Sequence, residues 1–121
     1  DVHRAKLFGR CEPHSGIAAF DRLLAQVMAQ EPYASARRVF LITDNGPAHR
    51  GARCLTRWRE QWPTIVAVHL PVHASWLNQI EIYFSIVQRK VLTPNDFSSL
   101  QEVQDRLFHF QTYYETIAKP F

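Results

Sequence analysis

An α/β layer fold is what the order of apolar and polar residues predicts, and three observations carry it. Val39 to Ile42 is a continuous apolar run between Arg37-Arg38 and Asp44-Asn45-Gly46, the form of a strand buried on both faces. Ile65 to Leu70 is a second such run. Between them lies a helical stretch from about Gly51 to Gln61, stopped by Pro63. Strand, helix, strand at this length reads as a right-handed parallel crossover.

The remaining elements follow in chain order. Ala5-Lys-Leu-Phe-Gly-Arg-Cys11 reads as a short strand. Ser15 is placed to cap a helix whose apolar positions Phe20, Leu23, Leu24, Val27 and Met28 recur at helical spacing before Pro32, with a sheet as the surface it would cover. After Pro71 and a short loop, Leu77, Ile80, Phe84, Val87 and Val91 step by threes and fours, which predicts an amphipathic helix. Glu81 lies about 100° round from Ile80, at the margin of that stripe. Thr93-Pro-Asn-Asp96 is a turn. Ser99-Leu-Gln-Glu102 then has the form of a capping box, opening a last helix through Val103, Leu107, Phe110, Tyr114 and Ile117 to Pro120.

Composition narrows the class. A chain of 121 residues suits one small domain, and 46% hydrophobic with 21% charged residues is a globular balance rather than a disordered one. No apolar run approaches the roughly 20 residues of a membrane span and no leader pattern opens the chain, so an intracellular, cytoplasmic protein with no membrane partner is expected. Cys11 and Cys54, two and far apart, do not make a disulfide framework and read as buried small hydrophobes. His69, His73 and Cys54 have neither the number nor the spacing of a zinc site. The net charge of +3 is modest, but it is carried by eleven Arg against three Lys, and the planar Arg fork suits phosphate.

Two carboxylates stand out. Asp44 closes the first buried strand and Glu81 opens a helix, with 36 residues between them. Hard cations such as Mg²⁺ take oxygen ligands and usually only one or two protein carboxylates, so such a pair suits phosphodiester chemistry. Each residue also has a plainer reading. Asp44-Asn45-Gly46 is a strong turn sequence, and Glu81 is placed as N3 of a helix capped by Asn78; on local signals alone these are the stronger readings.

The residues around them shift that balance. Leu41-Ile-Thr-Asp-Asn-Gly-Pro-Ala-His-Arg-Gly51 and the block from His69 to Phe97, with its Ser75-Trp-Leu-Asn-Gln-Ile-Glu81 string, resemble the catalytic domain of bacterial insertion-sequence transposases of the mariner-like superfamily, the DDE endonucleases. The resemblance runs over nearly the whole chain and is weakest from Asp1 to Tyr33. It implies a ribonuclease-H-like fold in which three carboxylates meet at one sheet edge, with Asp44 matching the second and Glu81 the third as catalytic metal ligands. The first has no match here. Asp1 is followed by too few strands and Asp21 lies within a helix. The chain opens in mid-pattern without a Met, so residues 1–121 read as a part of a DDE transposase catalytic domain, truncated at the N-terminus, with the first strands and a helix-turn-helix region expected elsewhere. Marginal stability is expected of such a piece, because uncovered strand edges invite aggregation.

The same resemblance implies two Mg²⁺ (or Mn²⁺) ions, cleavage at transposon ends, strand transfer into target DNA, and a homodimer that is nucleoid-associated when bound to DNA. Asn45 would hold the aspartate or a metal-bound water, with a turn role as its rival. His49 would touch a phosphate or orient Asp44, or else is a surface histidine near a helix start. Asn78 and Gln79 lie close enough to Glu81 to meet DNA, and Trp76 reads as core. Arg50, Arg53 and Arg57 share a helical face and Arg89-Lys90 close the helix of Glu81, placed for phosphate or simply as solvated faces. Another ribonuclease-H-like nuclease or integrase, or a remnant that only binds DNA or forms dimers, remains the alternative.

Overall fold

The computed structural model describes residues 1–48, 50–74 and 77–120. Two compact units are formed, one by Glu12–Glu81 and one by Asp1–Cys11 with Ile82–Phe121.

In the first unit, helix α1 spans Ile17–Met28 and places Phe20, Leu24 and Met28 at steps of four on one face; Leu24 and Met28 are buried. Its N-cap is Gly16 and no side chain caps it, so the cap expected from Ser15 is not made. Strand β1 (Val39–Thr43), helix α2 (Ala52–Gln61) and strand β2 (Ile65–His69) follow. The strands pair in parallel, Val39 opposite Ile65 through Thr43 opposite His69, as the crossover reading requires. β2 ends one residue short of the expected Leu70, whose N–H still donates to the Thr43 carbonyl at 2.8 Å.

The core of this unit is built on Leu24, Cys54 and Trp58, with Phe20, Leu41, Trp62 and Ala67 packed against it. Helices α1 and α2 thus contribute to the same layer, against the sheet face that carries Leu41 and Ala67. Trp58 is only 1% exposed and is the largest fully buried side chain among the described residues. The other face of the sheet corrects the sequence reading. Phe40, Ile42 and Val68 are 64%, 51% and 41% exposed, so β1 is buried on one face and not two. An uninterrupted apolar run gives the same sequence signal whether or not a second layer covers it.

In the second unit, α3 (Ile80–Lys90, which begins in the first unit) and α4 (Leu100–Ile117) are the regular elements. Val87 and Val91 are buried, whereas Phe84 and Leu77, assigned to the same stripe from sequence, are exposed; Leu77 precedes the helix. Tyr83 meets the ring of Tyr114 edge-on at 5.1 Å and stacks by Phe110 at 6.3 Å. Burial raises the Tyr83 phenol above its ordinary pKa, helped by Tyr114 and Glu115.

No side chain of α4 is fully buried, and its start is held locally. Ser99 Oγ accepts from the Glu102 N–H at 3.2 Å, one half of the expected capping box. The Glu102 carboxylate takes the Ser98 N–H at 2.9 Å and the Ser98 hydroxyl at 2.7 Å. Arg106 reaches Glu102 at 3.2 Å and Asp96 at 3.3 Å while lying over the Phe97 ring. The expected strand from Ala5 to Cys11 is absent. Residues 2–5 form a turn, and the Leu7 backbone finds side chains instead of a strand: its N–H donates to Glu115 Oε1 at 2.7 Å and its carbonyl accepts from Gln111 Nε2 at 3.1 Å. Cys11 is exposed, contrary to expectation, while Cys54 is buried.

Candidate functional site

Asp44 directly follows the last residue of β1, at the end of the parallel pair where both strands present their carboxyl termini. That is where α/β folds gather ligands. Two interactions fix the chain there. Asn45 Nδ2 donates to the Leu70 carbonyl at 2.7 Å, tying the exit of β1 to the exit of β2. The Gly46 N–H donates to Asp44 Oδ1 at 3.1 Å, the self-bonded turn that an Asp-x-Gly sequence favours. The local turn reading of Asp44-Asn45-Gly46 therefore has a real counterpart, and the Asn45 amide is engaged by Leu70. A carboxylate offers about four acceptor sites on two oxygens, of which the Gly46 N–H takes one.

Glu81 sits in the first turn of α3, exposed, where a negative charge suits the helix N-terminus. Asn78 caps that turn: its carbonyl accepts from the Glu81 N–H at 3.0 Å and its Oδ1 from the Ile80 N–H at a long 3.4 Å. The helix-start reading of Asn78 thus has a counterpart in these two backbone bonds. Gln79, Arg50, Arg53, Arg89 and Lys90 are all exposed. His49 and Trp76 lie outside the described residues.

Two features of this unit escaped sequence reasoning. Trp58 was not singled out, although Cys54, Trp58 and Trp62 fall at steps of four and mark the inner face of α2. Arg57, read as one of a solvated basic row, instead holds Asp21 of α1 through Nε at 2.6 Å and Nη2 at 3.1 Å. Trp58 Nε1 donates to the same carboxylate at 3.2 Å. The pair spans 36 positions, and no local pattern announces it. Hydrogen bonding to Asp21 raises the Arg57 pKa further, and burial raises the Cys54 thiol, which makes that cysteine a poor nucleophile.

The donor chemistry of Asp44 and Glu81 fits a hard divalent cation, since both offer carboxylate oxygens. Among the described residues no three or more His, Cys, Asp or Glu side chains come together as a metal-holding group, so a three-carboxylate set is not formed there. No helix among the described residues is long and apolar enough to cross a membrane.

With that geometry in hand, comparison with known families is informative. The profile of the DDE superfamily endonucleases matches residues 1–104, and the chain belongs to that family. The match supports a nuclease or transposase type of function acting on DNA, and the chain's mixed α/β structure with its two-stranded sheet is compatible with the ribonuclease-H-like fold that this family suggests. Comparison with curated proteins and with solved structures gives no match.

Proposed function

We propose that residues 1–121 are part of the ribonuclease-H-like catalytic domain of a bacterial insertion-sequence transposase of the mariner-like superfamily. In this reading the domain's first strands, its first catalytic Asp and a helix-turn-helix region lie outside this chain. The family match over residues 1–104, together with an aspartate at the carboxyl end of a parallel strand pair, is the observation that carries it.

Asp44 and Glu81 are the ligands in this scheme, not nucleophiles. Bound Mg²⁺ or Mn²⁺, two ions in the intact enzyme, would supply Lewis-acid stabilisation of the attacking and leaving oxygens of a phosphodiester. The Asn45–Leu70 bond and the Asn78 cap hold the backbone beside the two carboxylates. His49 is assigned to orient Asp44 or meet a phosphate. Gln79, Arg50, Arg53, Arg89 and Lys90 are assigned to DNA, the cations to backbone phosphates. Cleavage at transposon ends is followed by joining of the 3′ ends to target DNA, by a homodimer in the bacterial cytoplasm, nucleoid-associated while bound.

The test is a cleavage assay on a transposon-end duplex with Mg²⁺ or Mn²⁺, comparing the full-length protein, its Glu81→Gln and Asp44→Asn variants, and residues 1–121 alone. The full-length protein should cut, and each substitution should abolish cutting. The isolated chain should not cut, because misplacing a reacting group by about 1 Å already costs roughly a hundredfold. Undiminished cutting by either variant, or metal-dependent cutting by residues 1–121, would overturn the assignment. Cutting without strand joining would move the protein to the other nucleases of this fold.

A further inference from the structure

We infer that Arg57 and Asp21 are positioning residues for Asp44, acting through the backbone of residues 44–48. The inference rests on the reading of Asp44 as a metal ligand.

Arg57 does more than join α1 to α2. Besides its two bonds to Asp21, its Nη2 reaches the Ala48 carbonyl at 3.4 Å, inside the loop that runs from Asp44 to the start of α2. The Cys54 thiol lies 3.9 Å from the same carbonyl and 3.8 Å from Arg57 Nη2. Each loop contact is long, but they converge on one oxygen from a guanidinium that Asp21 holds in a fixed orientation. Asp21 is itself fixed by the buried Trp58 indole N–H. The side chains of Arg57 and Asp21 are 29% and 20% exposed, so the pair is largely shielded from competing water.

The backbone that follows Asp44 is therefore held at two points. Asn45 bonds to Leu70 directly after the aspartate, and Ala48 bonds to Arg57 three residues further on. A carboxylate on a loop tethered twice keeps its direction when a cation is absent, whereas one on a loop tethered once would have to be ordered on binding. Lys in place of Arg57 would keep a positive charge beside Asp21, but a compact ammonium cannot hold two carboxylate oxygens and a backbone carbonyl with a planar fork. A strut that only stabilised the α1–α2 packing would need none of the contacts to Ala48.

The experiment uses the full-length protein and its Arg57→Lys, Asp21→Asn and Asp44→Asn variants. It measures the half-saturating Mn²⁺ concentration for cleavage of a transposon-end duplex, KM for that duplex, and hydrogen exchange at the Gly46 amide, which donates to Asp44 Oδ1. For Arg57→Lys the half-saturating Mn²⁺ concentration should rise about 10–100-fold, the usual effect of removing a partner behind a metal ligand. KM should stay unchanged and the Gly46 amide should exchange faster. Asp21→Asn should move the same readouts in the same direction.

A folded Arg57→Lys protein with wild-type Mn²⁺ dependence and wild-type loop exchange would overturn the inference. Should both variants fail to fold, exchange in the wild-type protein decides: protection of the Gly46 amide, which donates to Asp44 Oδ1, supports a loop held in place, and exchange at the rate of an unstructured peptide overturns it. Asp44→Asn separates the two levels. If it cuts like wild type, the metal-site reading fails. If it is inactive while Arg57→Lys behaves as wild type, only the tether fails.

Discussion

The two units of this chain are held together in different ways. Between Glu12 and Glu81, helices and strands far apart in sequence converge on one indole, Trp58, whose N–H and neighbouring Arg57 also fix Asp21. In the unit formed by Asp1–Cys11 and Ile82–Phe121, the 18-residue helix α4 has no fully buried side chain; its start is capped within a few residues, and further along Glu115 and Gln111 take the Leu7 backbone while Phe110 and Tyr114 meet Tyr83. Long-range burial thus sets the unit that carries Asp44 and Glu81. Local signals set much of the other, and the two should respond to different mutations.

The largest expected effect is at Trp58. Trp58→Ala removes the centre of the first unit's core and should lower stability by about 3–5 kcal/mol, read from the urea midpoint. A loss of only about 0.5 kcal/mol, the size of a surface substitution, would show that the packing around Trp58 is not what holds this unit.

Next comes Gly51, which caps α2 at φ 86° and ψ 167°, a backbone region essentially reserved for glycine. A Cβ there would meet nothing within 4 Å, so the penalty of Gly51→Ala is conformational alone, about 1–3 kcal/mol. An unchanged thermal midpoint would mean that the loop relaxes to another conformation.

In the second unit, Ser99→Ala should cost about 1 kcal/mol by leaving the Glu102 N–H without its cap, measured by circular dichroism on heating. A cost as large as that of Trp58→Ala would erase the contrast between the units.

The smallest effect is one of pH. The Ser98 N–H and hydroxyl, and then Arg106, lower the Glu102 pKa below its ordinary 4.5. A carboxylate depressed on folding contributes stability above its unfolded value that is lost as pH falls through the folded one, so stability should decline on acidification below the ordinary Glu range. Ser98→Ala should shallow that decline. A variant with the same acid profile as wild type would show that the Ser98 hydroxyl does not matter to Glu102.

The same contrast explains what the sequence could reveal. Periodicity located the four helices because their apolar or capping signals are local, and two apolar runs flanking a helix were enough for the parallel pair. The strand expected at Ala5 to Cys11 failed because a strand exists only with a partner, and here Glu115 and Gln111 take the Leu7 backbone. Burial of Phe40 and Ile42 failed for a related reason, since a run of apolar residues does not say how many layers cover it. At the candidate site, the positions of Asp44 after a strand and Glu81 at a helix start were readable from turn and cap residues. Arg57 with Asp21 was not, because it pairs side chains that only the packing of α1 on α2 brings together.

The most direct test of the central claim is whether Asp44 and Glu81 serve one cation site. With the full-length protein bound to a transposon-end duplex, Fe²⁺ can be substituted for Mg²⁺, and hydroxyl radicals formed at the iron from added hydrogen peroxide, with ascorbate returning Fe³⁺ to Fe²⁺, then cut the polypeptide near where it is held. Two clusters of cuts are expected, one around Asp44 and one around Glu81, both suppressed by excess Mg²⁺ and both lost in Glu81→Gln. Cuts near only one of the two residues, or cuts near Asp44 that persist unchanged in Glu81→Gln, would contradict the shared site.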